Sequence, residues 1–302
     1  MRLARLLPLA LLVTLLAACG GRHATRPSGT TRAGSAHHGW FHRDRDNTSL
    51  PQDRRYGTQA DSTPAGPPPA FIYTMPEPVP KAEPRSPYGN RSPYTVNGQT
   101  YSVLPSARGY DERGIASYYG NKFHGYKTSN FEAYDMYQFS AASKVLPLPS
   151  YARVTNLANG KSVIVRVNDR GPFHANRVID LSYAAAVRIG IWPKGSGLVE
   201  VQGLDPAAPG GEPPPLPPVS KGANLPGIYL QVGAFSDATN AERVAAQLRR
   251  ANFAPVQVEQ VQINGRTMRR VRLGPLNDVD TADDVTTRIE NMGLPRPQVA
   301  VD

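Results

Sequence analysis

The stretch Asn168-Asp169-Arg170-Gly171-Pro172 is the part of this chain best suited to chemistry. It follows two runs rich in β-branched residues, Tyr151 to Leu157 and Lys161 to Val167, which the short turn Ala158-Asn159-Gly160 joins into a predicted hairpin. Asp169 therefore falls at a strand end, with Arg170 beside it and Gly-Pro fixing the turn, where a carboxylate can act on a ligand instead of packing inward. The same pattern also describes an Asp that only caps a turn. A second candidate lies near the C-terminus. In the strand expected at Ile228 to Phe235, Ile228, Leu230 and Val232 share one side, which leaves Tyr229, Gln231, Gly233 and Phe235 on the other. In the strand expected at Arg266 to Gly274, Arg270 and Arg272 alternate with Val271 and Leu273. A stacking ring, an amide and guanidinium cations on one sheet face suit a polysaccharide carrying carboxylates, although an ordinary solvated face has the same composition.

The elements that position these residues fall into two groups. From Gly114 to Leu204 the chain offers short strands at Gly114–Tyr119, Tyr151–Leu157, Lys161–Val167 and Leu198–Gly203, with one helix led in by Asp180-Leu181-Ser182-Tyr183 and closed by Gly190. Short strands around a single helix argue for a small barrel. From Gly227 the pattern is βαββαβ: strand 228–235, helix 237–251, strand 255–263, an Asn264-Gly265 turn, strand 266–274, helix 278–292 and strand 297–301. Residues 228–302 contain nine Arg, no Lys and nine Asp and Glu, so any pull on an anionic ligand comes from the Arg266, Arg269, Arg270 and Arg272 cluster and not from net charge.

The 302-residue chain contains 30 Pro and 27 Gly, so much of it outside these two groups is poor in core-forming sequence. Residues 1–18 have a basic start, an apolar run and a small-residue site, as a secretion signal does. Residues 19–113 are expected to form a disordered, proline-rich tether, and residues 205–226 a second, stiffer linker. His37, His38 and His42 lie in the tether without supporting ligand spacing, so no metal is assigned. No cofactor motif is present. The formal net charge of +10 suits an anionic partner, and the export signal argues for a polysaccharide or lipid and against nucleic acid. Cys19 is the only cysteine, which excludes an intramolecular disulfide, and nothing after the signal is long enough for a transmembrane helix.

Leu16-Ala17-Ala18-Cys19 resembles a bacterial lipobox, which implies acylation of Cys19, and Gly20 after it implies sorting to the outer membrane. Gly114-Ile115-Ala116-Ser117-Tyr118-Tyr119-Gly120, Phe123-His124-Gly125, Tyr134-Asp135-Met136, Leu146-Pro147-Leu148-Pro149-Ser150-Tyr151 and Val167-Asn168-Asp169-Arg170-Gly171-Pro172-Phe173 together resemble the rare lipoprotein A family, over essentially all of 114–204. Ile228 to Phe235 and Arg270 to Leu276 resemble the SPOR repeat. The resemblance implies a six-stranded double-psi β-barrel followed by a ferredoxin-like SPOR domain, residues 227–302. It implies a lytic transglycosylase of the septal ring acting on peptidoglycan strands stripped of stem peptides, with divisome proteins as further partners. It places the catalytic acid on Asp169, with Glu132 and Asp135 as further active-site carboxylates whose charge would raise the Asp169 pKa. The SPOR resemblance implies binding of stripped glycan, for which the sheet face read from strand alternation offers Tyr229, Gln231, Phe235, Arg270 and Arg272. Two positions depart from the family: Phe131 replaces a glycine, and Ser143 replaces the active-site histidine. Ser143 cannot titrate near neutral pH, so a lipoprotein that holds glycan without cutting it is the alternative reading.

Overall fold

The computed structural model describes residues 46–57, 60–174, 176–206, 227–253 and 255–301. Cys19, the signal, His37, His38, His42 and the linker centre at 207–226 lie outside them. Before the barrel come a short helix α1 (Gln52–Tyr56), a 3-10 turn (Ala70–Tyr73) and a hairpin of β1 (Tyr94–Val96) and β2 (Gln99–Tyr101). The barrel strands are β3 (Asp111–Tyr119), β4 (Ser140–Ser143), β5 (Ser150–Asn156), β6 (Ser162–Asp169), β7 (Arg177–Ser182) and β8 (Ser196–Leu204), closed in the order β3-β7-β4-β6-β5-β8. The β5–β6 pairing, from Ser150↔Val167 to Thr155↔Ser162, is the hairpin expected from the sequence. Val154, Val163, Val165, Leu181 and Val199 have no solvent exposure and fill the barrel core. Helix α2 (Tyr183–Arg188) follows β7 directly. Its N-cap Ser182 accepts from the Ala185 N–H and donates to the Gln138 carbonyl, tying helix start to barrel.

Of the segment expected to be a disordered tether, the described residues from Asp46 onward wrap the barrel as a strap. The reason lies in bonds that composition does not reveal. Ile72 is fully buried in the barrel core, and the Arg188 guanidinium donates to the Ile72 and Met75 carbonyls. Glu83 receives two hydrogen bonds from Arg166, each 2.9 Å, and one from the Tyr151 hydroxyl. Asn90 bridges to both the N–H and the carbonyl of Leu148. Because proline donates no N–H, such a strap is anchored by side chains instead of a strand ladder.

The second domain has strands β9 (Ile228–Phe235), β10 (Val256–Ile263), β11 (Arg266–Leu276) and β12 (Gln298–Val301), with helices α3 (Ala238–Arg250) and α4 (Val279–Asn291). The sheet is antiparallel throughout, in the order β10-β11-β9-β12. This is the expected βαββαβ, with boundaries within one residue except at the end of β11, which runs two residues further. Asn264 and Gly265 both have positive φ, 50° and 74°, as a type I′ hairpin needs. Ala241, Val244, Ala245 and Leu248 of α3 are buried against Ile228, Leu230, Val232, Val271 and Leu273, which leaves the other sheet face for Tyr229, Gln231 and Arg272. Among the described residues, no helix is long and apolar enough to cross a membrane.

Candidate active site

A β-bulge aims Asp169. The parallel β4–β6 ladder steps from Ala141↔Val167 to Ala142↔Asp169, so β6 uses two residues where β4 uses one. Without the extra residue, Asp169 would follow Val165 and Val167 toward the core; with it, Asp169 shares the side of Ala142. Ala142 pairs on its other edge with Asp180 of β7, and Asp180 pairs with Ser117 of β3. Four neighbouring strands thus present Asp169, Ala142, Asp180 and Ser117 in one row. The two carboxylates, with the Ala142 methyl between them, line an open furrow of about 440 Å³.

Asp169 is half-buried, and three donors converge on its Oδ1: the Ser129 hydroxyl at 2.6 Å, the Ser129 N–H at 2.8 Å and the Arg170 N–H at 2.7 Å. Burial raises its pKa above the ordinary value of 3.8, while these hydrogen bonds and the charge of Arg55 oppose the rise. An oxygen that already accepts three hydrogen bonds is a poor proton site, so the proton of the neutral acid belongs on Oδ2. Ser129 is set by its loop: Thr128 donates to the Asn130 side chain at 2.7 Å, and the Thr128 N–H reaches the Glu132 carbonyl at 2.8 Å.

The other expected site residues are placed differently. Glu132 is bound by Arg166 at 2.5 and 2.8 Å and by Asn168 at 3.0 Å, with its pKa lowered; burial opposes that lowering, and Arg166 and Asn168 overcome it. It lies with Asp135 in a separate hollow beside Phe139 and Arg166. Asp135 accepts from the Tyr137 N–H and stands 3.7 Å from His124 Nδ1. Asp169 is thus raised chiefly by burial, with Glu132 and Asp135 in the other hollow; the like charge in the furrow is Asp180. Ser143 is 1% exposed and accepts from the Val145 and Leu146 N–H groups, so it faces a turn and not the furrow. Arg170 contributes only its backbone N–H to Asp169. Its guanidinium donates to the carbonyls of Gly89, Ser143 and Leu146 and to Asn90, locking the strap against the β4–β5 loop. Phe131 keeps the backbone a glycine would supply, with φ at 69°, and its ring packs on Tyr88 of the strap at 4.3 Å.

The strap builds the furrow walls. Arg55, Tyr56, Gly89, Arg91 and Tyr94 line it together with Phe123, Lys127 and Phe173. Tyr56 packs edge-on against Phe123 and Tyr126, each at 5.0 Å, and across the furrow Tyr94, Tyr101 and Phe173 form a second aromatic group, the rings 5.5 to 6.5 Å apart. Arg55 is held by Asp46 at 2.7 Å. Sequence reasoning missed these residues because a proline-rich segment reads as tether; the signal available was its Tyr and Arg content. It missed Asp180 because Asp180-Leu181-Ser182-Tyr183 reads as a helix lead-in, although Ile179 and Leu181 alternate with Asp180 as in a strand.

In the second domain, Cα pairing puts Gln257, Arg272, Gln231 and Gln298 in one row across the sheet. The Arg272 guanidinium lies 4.4 Å over the Tyr229 ring and bonds Glu259 at 3.1 Å. At 4% exposure, Arg272 is on the expected face but covered, contrary to the expectation of an open cation. Arg270 is half-buried beside Glu259, and the Phe235 ring lies over Gly233, where any Cβ would meet it at 2.7 Å.

Residues 111–202 match the family model described as lytic transglycolase, and residues 225–299 match the SPOR domain model. A protein of Pseudomonas aeruginosa strain UCBPP-PA14 named endolytic peptidoglycan transglycosylase RlpA is 42% identical over 278 residues, covering 74% of this chain and 80% of that one. The protein of that name from Vibrio cholerae is 38% identical over 239 residues, covering 79% and 86%. The solved RlpA SPOR domain from Pseudomonas aeruginosa is 36% identical and covers 24% of this chain and 97% of its own, with a TM-score of 0.24. With a closed six-stranded barrel, a SPOR domain after it and relatives matched over most of their length, this chain belongs to the RlpA family of endolytic peptidoglycan transglycosylases.

Proposed function

We propose that this chain is a peptidoglycan lytic transglycosylase that cleaves MurNAc–GlcNAc β-1,4 bonds within glycan strands and leaves 1,6-anhydro ends, with Asp169 as acid and then base. The observation that carries this reading is a carboxyl group raised by burial, oriented by Ser129 and open to an aromatic-walled furrow. Protonated Asp169 gives its proton to the glycosidic oxygen as the C1–O bond breaks. As carboxylate it then takes the proton of the C6 hydroxyl, which closes on C1, so no attacking water is needed. The aromatic groups on both walls suit sugar rings. Removing stem peptides frees the lactyl carboxylates of MurNAc, which Arg55, Arg91 and Lys127 at the furrow suit, in keeping with a preference for naked strands. The SPOR domain supplies peptidoglycan binding through the face of Tyr229, Gln231, Phe235, Arg270 and Arg272. Acylation at Cys19 would tether the protein to the outer membrane, facing the periplasm at the division septum with divisome proteins as neighbours.

The test is incubation of the purified protein with stem-free glycan and, separately, with intact peptidoglycan, scored by mass spectrometry for 1,6-anhydro ends. The wild type is expected to release them mainly from stem-free strands, and Asp169→Asn to lower the rate by about 10²-fold or more. Equal product from the two proteins removes Asp169 from the mechanism. Binding without product from the wild type leaves the holding role instead. Loss of membrane-fraction association in Cys19→Ala tests the tether.

A further inference from the structure

The furrow contains a carboxylate that this mechanism leaves unused. Asp180 is half-buried, lines the furrow with Asp169, and accepts a hydrogen bond from the Ser117 hydroxyl on Oδ1. Gly171 leaves its other oxygen uncovered: a Cβ there would stand 3.9 Å from Asp180 Oδ2 and 3.8 Å from the Ala142 methyl, and the Gly171 φ of 139° disfavours any larger residue. A buried carboxylate normally has a bonded cation, yet among the described residues no salt bridge to Asp180 is found. The amine of Lys144 donates to the Arg177 carbonyl at 2.6 Å, so Lys144 and Arg177 act on Asp180 only through space. Asp169 and Asp180 flank Ala142 on opposite sides, two strand spacings or about 10 Å apart at Cα.

We propose that Asp180 is a second catalytic carboxylate of the same reaction, accepting a hydrogen bond from the 2-acetamido N–H of the MurNAc ring whose glycosidic oxygen Asp169 protonates. This rests on the transglycosylase reading. In the first step the Asp169 proton moves to the glycosidic oxygen, the C1–O bond breaks, and the acetamido carbonyl oxygen bonds to C1. The resulting oxazolinium cation is held by the negative charge of Asp180 across the ring. In the second step the C6 hydroxyl gives its proton to the Asp169 carboxylate, O6 bonds to C1, and the bond from C1 to the acetamido oxygen breaks. Asp169 regains its proton and Asp180 never transfers one, so Asp180 must be ionised while Asp169 is protonated. Burial and the charge of Asp169 raise Asp180, while Ser117 of β3, Arg177 of β7 and Lys144 after β4 favour its charged form, and Tyr119 nearby stays neutral.

Asp180→Asn preserves shape and the Ser117 hydrogen bond. On stem-free glycan it is expected to lower kcat by about 10²-fold or more with KM within about threefold, while the wild type in the same assay forms 1,6-anhydro product. An Asp180→Asn protein that cuts at a rate close to the wild type's overturns the proposal. A wild type that makes no anhydro product overturns the transglycosylase reading itself, a different result. Should Asp180→Asn fail to fold, Ser117→Ala decides. It removes a donor to the Asp180 carboxylate, so the acid limb of the pH–rate profile is expected to move to higher pH, and an unmoved acid limb counts against Asp180.

Discussion

Ser129 binds Asp169 Oδ1 twice, through its hydroxyl at 2.6 Å and its N–H at 2.8 Å, although the two residues lie 40 positions apart. The loop after β3 thereby sets both the orientation and the acidity of the group at the end of β6. In Ser129→Ala the hydroxyl bond is lost and the N–H bond stays. A hydrogen bond to a charged group favours the charged form, and water replaces only part of it at this half-open site, so the Asp169 pKa is expected to rise. Because Asp169 must begin each turnover protonated, the alkaline limb of the pH–rate profile should move to higher pH by the same amount. An unmoved limb would show that another group supplies the proton.

How much of this site is legible in the sequence depends on the range of the interaction. Asp169 is recognisable because its hairpin strand and Gly-Pro turn are local, and the βαββαβ domain is legible because its helices carry apolar stripes and its hairpin an Asn-Gly turn. The Ser129 and Asp180 contacts are not, since one joins a loop to a strand 40 residues on and the other joins strands that meet only when the barrel closes. Proline content conceals the strap for a related reason: Ile72, Glu83 and Asn90 fix it one residue at a time, without periodicity. At position 143 the serine hydroxyl accepts from the Val145 and Leu146 N–H groups, a contact set by the turn after β4, so it puts no group in the furrow in place of the family's histidine.

Phe131 provides a separable test of backbone strain against packing. Its φ of 69° costs a residue with a Cβ about 1 kcal/mol, and its ring recovers energy against Tyr88 and beneath the Lys127 amine at 5.5 Å. Phe131→Ala keeps the strain and loses the ring, whereas Phe131→Gly loses both. The glycine variant is therefore expected to be more stable than the alanine variant by about 1 kcal/mol in denaturant unfolding. The reverse order would mean that the loop abandons this conformation once the ring is removed.

In the second domain, Gln231 and Arg272 are neighbours across β9 and β11 but should respond differently to truncation. Gln231 is half-exposed, so Gln231→Ala is expected to weaken glycan binding with little change in melting temperature. Arg272 is nearly covered, stacked on Tyr229 and bonded to Glu259, and its stem packs the sheet face. Arg272→Ala is expected to cost about 1 to 3 kcal/mol of stability as well as binding. Calorimetric melting of the two variants beside a glycan pull-down separates the roles; equal melting temperatures would mean that Arg272 serves the ligand alone.

Glu83 makes the strap's attachment pH-dependent. The hydrogen bonds from Arg166 hold its pKa down at about 2, against an ordinary value of 4.5, with the Tyr151 hydroxyl adding to the effect. A carboxylate whose folded pKa is depressed contributes stability that is fully present above the unfolded value and is lost as pH falls toward the folded one, here from about 4.5 to about 2. Glu83→Gln cannot gain that contribution, so its melting temperature is expected to be lower than the wild type's at neutral pH and to converge on it across this window. Glu132 shares Arg166 and also titrates low, so the variant should keep part of the slope. The strap carries Tyr94 and Arg91 into the furrow, so product formation in Glu83→Gln at neutral pH should fall further than its folded fraction does. Parallel melting curves for the two proteins from pH 4.5 to 2 would show that the strap is held by its buried Ile72 and backbone bonds, with the Arg166 pair contributing nothing measurable.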